Sequence, residues 1–171
     1  LVNFHGCTLP RGWQRTYPHL MAHEAIRGAE FYMILSAPTA ADNVKDVFLR
    51  NVVGSMDYTP LLFEPALEQA DIPYAHELAL AVAFESALTH FADNDDMDES
   101  TGYRKLLADF PFVRDFLMQV PTTWDETRLV SGDPRTHAVI ARRKGEAWYL
   151  AALNAEGMAR EVSVPLGFLD D

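Results

Sequence analysis

The sequence predicts an α/β chain in two parts: parallel βα units over residues 1–131, enough for half of a (β/α)8 barrel, then an incomplete antiparallel segment, as in a β-sandwich, over residues 132–171. Three observations carry this. Short apolar strand patterns alternate with loops and helix patterns through the first part, as parallel βα units do. Four strand candidates occur there, too few to close a barrel but enough for half of one. After Gly132 the pattern changes to short strands around a hairpin signal, as in antiparallel sheets.

Each element follows from its residues. Leu1–His5 reads as a short buried strand. Gly6, Pro10, Gly12 and Pro18 punctuate the next stretch too densely for helix or strand. Leu20–Glu24 is the second strand, ended by a turn near Gly28. Asp42–Val53 fits a helix capped by Asp42, with Val44, Val47, Phe48 and Val52 on one face and Gly54 as its stop. Ser55–Thr59 is the third strand, broken by Pro60. Tyr74–Phe91 carries Leu78, Ala81, Val82, Leu88 and Phe91 at helical steps. Tyr103–Val120 is a helix kinked or split at Pro111, and Thr122–Leu129 is the fourth strand. Beyond the boundary, Ala138–Arg142 and Trp148–Leu153 flank a hairpin, and Val162–Leu166 adds a third strand. Both termini run directly into strand patterns, so the expectation is a piece of a larger protein.

Composition narrows the functional classes. The 171 residues carry 14 Lys+Arg against 25 Asp+Glu, a net charge of −11. Such acidity argues against binding a phosphate backbone, which needs clustered basic groups. No apolar run approaches the roughly 20 residues of a membrane span. One cysteine, Cys7, excludes an internal disulfide framework and a Cys-rich zinc site.

Several motifs fail as chemistry. The cluster Asp93, Asp95, Asp96, Asp98 and Glu99 invites a calcium loop, but Asp98 stands where an EF-hand needs Gly and Arg104 where it needs Glu. His19, His23 and Glu24 have the wrong order for a zinc-protease helix. Gly54-Ser55 lacks the second glycine of a nucleophile elbow. Trp124 and Trp148 offer faces for stacking on sugars, or pack as core. What remains is Asn3 to Glu30, rich in His, Arg and Glu around turn residues, in the loops where α/β barrels place chemistry. If the chain folds back at Gly28, Glu24 and Glu30 face one pocket; otherwise they are ordinary surface carboxylates.

The motifs Asn3-Phe4-His5-Gly6, Pro10-Arg11-Gly12, Arg15-Thr16-Tyr17-Pro18 and Glu24-Ala25-Ile26-Arg27-Gly28-Ala29-Glu30 resemble the catalytic barrel of glycoside hydrolase family 97. The run Arg50 to Pro60 resembles a later strand of that barrel. Pro121 to Arg128 and Ala141 to Gly145 resemble its last strand and the entry to its C-terminal β domain. The resemblance implies hydrolysis of terminal α-galactosides or α-glucosides with a bound calcium ion. It implies Glu30 as general acid, Glu24 as a calcium ligand and His5 as a sugar contact. It also implies a periplasmic or secreted enzyme, with the remainder of the parent polypeptide as this chain's partner.

One position departs from part of the family. Inverting members carry a glutamate directly after the histidine matched by His5; here the residue is Gly6. The resemblance therefore points to the retaining branch, in which an aspartate upstream of Leu1 is the nucleophile and Glu30 serves as acid and then base. Asp57 and Asp125 end strands, and neither matches the nucleophile position. The expected function is a retaining α-galactosidase, with the isolated chain inactive for want of its nucleophile. The alternatives are an inverting α-glucosidase of the same family, or a non-catalytic carbohydrate-binding or interaction module built on Trp148.

Overall fold

The computed structural model describes residues 1–34, 36–63, 71–92 and 106–169. The acidic cluster at 93–99 lies outside the described residues. In chain order the elements are β1 (Val2–Phe4), β2 (Leu20–His23), α1 (Phe31–Ile34), α2 (Ala40–Leu49), α3 (Tyr74–Ala83), α4 (Leu106–Asp109), α5 (Pro111–Leu117), β3 (Glu126–Asp133), β4 (His137–Lys144) and β5 (Ala147–Asn154).

β1 and β2 pair in parallel, Phe4 opposite His23, and a parallel bridge joins His23 to Met56. Met56 N–H then donates to the Glu85 carbonyl (3.0 Å), setting a fourth segment beside the third. Among the described residues only the first two of these segments are regular strands. The larger sheet is antiparallel, ordered β3-β4-β5.

Three expectations are corrected. The helix predicted over Tyr74–Phe91 ends at Ala83, and Phe84 is extended (φ −90°, ψ 122°). Tertiary partners take the chain there. The Asn51 amide donates to Glu85 C=O (2.9 Å) and accepts from Glu85 N–H (2.8 Å), and Ser55 Oγ accepts from Ala87 N–H (2.8 Å). The strand predicted at Thr122–Leu129 exists as β3 but pairs antiparallel with β4; the place beside the Met56 segment belongs to Glu85. Val162–Leu166 is not a strand. A smaller correction concerns α2: its cap is Thr39, and Asp42 closes a capping box with it rather than capping the helix alone. The split at Pro111 separates α4 from α5 as expected.

One core spans both parts of the chain. Val44 and Val47 of α2, Met56, Tyr58 and Leu61, and Leu80 and Val82 of α3 pack with Ala138, Ile140, Ala151 and Leu153 of the antiparallel sheet. α3 is apolar nearly all round, so it sits inside rather than on the surface. Its one carboxylate, Glu77, is fully buried and accepts the Leu61 N–H (2.8 Å). That bond holds Leu61 at φ +75°, just after Thr59 at φ +56°, a left-handed turn uncommon for such residues. Among the described residues no helix is long and apolar enough to cross a membrane.

Candidate active site

The ends of the parallel segments carry the site. β1 delivers His5 and Gly6, β2 delivers Glu24, and the turn after it delivers Glu30. Gly28 makes that turn possible. The chain presses against the neighbouring segment so closely that a Cβ at position 28 would lie 2.6 Å from the Tyr58 carbonyl oxygen. The same carbonyl accepts the Ala29 N–H at 2.9 Å, fixing the residue next to Glu30.

His5, Glu24 and Glu30 each offer a ligating atom, and these atoms all lie within 4.8 Å of one another. The sequence leaves open whether the two glutamates meet; the fold brings them together. Glu24 is buried, and its Oε2 accepts the Gly6 N–H (2.5 Å), with His5 Nδ1 3.4 Å away. Gly6 adopts φ +55°, the left-handed region open to a residue without Cβ. Glu30 is partly exposed on the same face. Its pKa is raised, first by burial and then by the hydrogen bond and negative charge of Glu24, while His5 pulls it down. An upward shift beside a second carboxylate is the direction that proton donation to a leaving group requires.

Beneath this cluster lies Arg50, 4% exposed. Its guanidinium donates to five carbonyls: Ala25 (3.1 Å), Gly54 (2.9 Å), His23 (2.9 Å), Glu24 (3.2 Å) and Ser55 (3.3 Å). A planar fork of five N–H groups suits this convergence; a lysine ammonium does not. Arg50 thereby ties the end of β2, and Glu24 with it, to the segment that follows.

The other candidates fall elsewhere. Asp125 is exposed and caps the β4–β5 hairpin through Gly145 N–H (2.8 Å) and Lys144 Nζ (3.1 Å). Trp148 packs on Phe168 (4.8 Å) under the Arg128 and Arg143 guanidiniums, and Trp124 packs against Tyr149 (5.3 Å). Their faces are used inside the β part. His23 is buried against Phe4 (5.7 Å), whereas His19 meets only the Tyr17 edge in its ring contacts (6.0 Å).

Comparison with known proteins follows this geometry. The family model described as "Glycosyl-hydrolase 97 C-terminal, oligomerisation" matches residues 123–171. A "Probable retaining alpha-galactosidase" of Streptomyces bingchenggensis (strain BCW-1) is 39% identical over 166 residues, 97% of this chain and 24% of that protein. The "Retaining alpha-galactosidase" of Bacteroides thetaiotaomicron is 32% identical across 100% of this chain and 26% of that protein. Among solved structures, a β-arabinopyranosidase superposes with TM-score 0.72 at 36% identity, covering 91% of this chain and 25% of its own. A family 97 enzyme from Pseudoalteromonas sp. strain K8, in complex with panose, superposes with TM-score 0.74 at 25% identity, covering 90% and 24%. The chain belongs to glycoside hydrolase family 97. It spans about a quarter of the length of the curated relatives it matches.

Two features of this family 97 chain escaped the sequence reading. Arg50 lies within a motif that assigns it no role. Asp57 was considered as a carboxylate at a strand end, but not its partners. It is wholly buried and accepts from Asn3 Nδ2 (2.5 Å), from His90 N–H (3.2 Å) and from His90 Nδ1, with His5 Nε2 3.8 Å away. These partners lie up to 54 residues from Asp57, and no local pattern announces them.

Proposed function

We propose that this chain forms the acid-bearing side of a retaining α-galactosidase whose nucleophile lies elsewhere in the parent polypeptide. The observation that carries the reading is the His5–Glu24–Glu30 cluster, with Glu30 held above ordinary carboxylate pKa beside Glu24. In this reading residues 1–131 contribute the later strands of a (β/α)8 barrel, and residues 132–171 open the C-terminal β domain. Glu30 donates its proton to the departing glycosidic oxygen, then takes one from the water that releases the glycosyl-enzyme. His5 contacts the sugar from the end of β1.

Galactose and retention are supported by the names of both curated relatives. They are also supported at Gly6, where no side chain is present to act as a base and the backbone is left-handed. The ligands of the Pseudoalteromonas structures support an oligosaccharide substrate.

A calcium ion fits the donor set in part. Two carboxylates on one face are the hard oxygen ligands that calcium takes, while the His5 nitrogen is not. Glu24 would hold the ion, with Glu30 beside it and the other oxygens supplied from outside this cluster. Bound there, calcium would offset negative charge and polarise sugar hydroxyls. The reading includes a periplasmic or secreted location, which cell fractionation tests.

The test uses the full-length polypeptide and follows the product anomer by NMR. The α-anomer of galactose is expected first. Glu30→Gln is expected to lower kcat on an alkyl α-galactoside by about 100- to 10,000-fold. The β-anomer appearing first would overturn retention. Unchanged turnover in Glu30→Gln would overturn the acid assignment.

A further inference from the structure

We propose that His90 is a second sugar-contacting histidine of this site, and that Asp57 is the positioning residue that holds it in place together with His5. The inference rests on the glycosidase reading given above. It adds to that reading a second histidine, linked to His5 through Asp57.

The geometry runs in a row. Glu24 Oε2 lies 3.4 Å from His5 Nδ1, and the opposite nitrogen of that ring, Nε2, lies 3.8 Å from Asp57 Oδ2. The same Oδ2 meets His90 Nδ1. Two imidazoles, one from the end of β1 and one from the loop after Glu85, thus converge on one carboxylate oxygen. Asn3 Nδ2 donates to that oxygen as well (2.5 Å), and His90 N–H donates to the other (3.2 Å). Both Asp57 oxygens are therefore engaged, and the side chain has no exposure of its own. A buried carboxylate with every bond turned toward site residues is placed to orient them, not to react.

The bond to Asp57 decides what His90 can offer. An ionised carboxylate only accepts, so Nδ1 carries the proton, and in the neutral ring Nε2 is left as an acceptor. Among the described residues Nε2 of His90 has no bonding partner, and the side chain is 56% exposed. An oriented acceptor beside a carboxylate and histidine cluster suits a sugar hydroxyl, which donates one hydrogen bond and accepts others. The backbone N–H bond to Asp57 Oδ1 fixes the loop as well as the ring, so the acceptor does not depend on a freely moving side chain.

The experiment measures kcat/KM of the full-length polypeptide on nitrophenyl α-galactoside and its singly deoxygenated analogues, with α-glucoside and β-arabinopyranoside included. In the unaltered protein one deoxy position is expected to cost about tenfold. In His90→Ala that penalty is expected to shrink to less than twofold while the other deoxy penalties stay. His90→Gln, which keeps an acceptor, is expected to restore part of it. Asp57→Asn is expected to erase the same penalty with His90 still present. A deoxy profile unchanged in His90→Ala would overturn the sugar contact, whatever happens to overall rate or melting temperature. Should Asp57→Asn fail to fold, the exposed His90 variants still decide. If the unaltered polypeptide cleaves none of these glycosides, the functional reading fails and this inference falls with it, a result distinct from an active enzyme with an unchanged profile.

Discussion

At the scale of single residues, the site is an economy of shared oxygens. Glu24 takes the Gly6 N–H and lies beside both His5 and Glu30, and Asp57 gathers Asn3, His5 and His90. A carboxylate so placed orders its neighbours, and in the proposed reading Glu24 would also bind calcium. Adding calcium to the full-length polypeptide is expected to raise its melting temperature, and a chelator to reverse the rise. In Glu24→Gln the shift is expected to fall to a small fraction of that in the unaltered protein. An undiminished shift in the variant would place the ion elsewhere. Thermal shift reads this directly, without reference to turnover.

At the scale of elements, backbone contacts decide where the site residues stand. Gly28 lets the turn after β2 press against the Tyr58 carbonyl; a methyl group there would sit 2.6 Å from that oxygen. Gly28→Ala is therefore expected to cost about 1–3 kcal/mol in urea unfolding, as overpacking does. It should also lower kcat more than KM changes, because Glu30 is two residues away. A neutral substitution would show that the turn relaxes without moving its neighbours. The elements were legible in the sequence where a single period or cap decided them. β1, β2 and α2 stand within a few residues of their predicted bounds. The helix through Phe91 was overlong because residues 84–91 keep an apolar pattern, while the Asn51 amide and Ser55 hydroxyl that capture the chain lie more than 30 residues earlier. β3 was recognisable as a strand, but strand pattern alone does not name its partner. For the candidate site, motif resemblance rather than spacing singles out His5, Glu24 and Glu30, and the fold brings these three together. Arg50 and the Asp57–His90 pair were not legible, because their contacts are long-range: His90 is 33 residues from Asp57.

At the scale of the whole molecule, one core joins the parallel segments, the helices and the antiparallel sheet, and α3 runs through it carrying adjacent titratable groups of opposite tendency. Burial pushes Glu77 up to about 7 and His76 down to about 4. For Glu77 the folded state binds the proton more tightly than the unfolded chain. Its contribution to stability is therefore fully present below pH 4.5 and is lost as pH rises through about 7. His76 has the reverse sign: its contribution is present above pH 6.5 and is lost as pH falls toward 4. Melting temperatures across this range are expected to show a shallow maximum. Glu77→Gln, which keeps the shape without the ionisation, should abolish the fall on the alkaline side. A fall of equal size in the variant would assign it to other groups. The left-handed backbone at Gly6 has a consequence for substitution there. An added Cβ meets no atom within 4 Å, so space is no obstacle, but any side chain must take up φ +55°, and that strain would fall on the peptide whose N–H bonds Glu24.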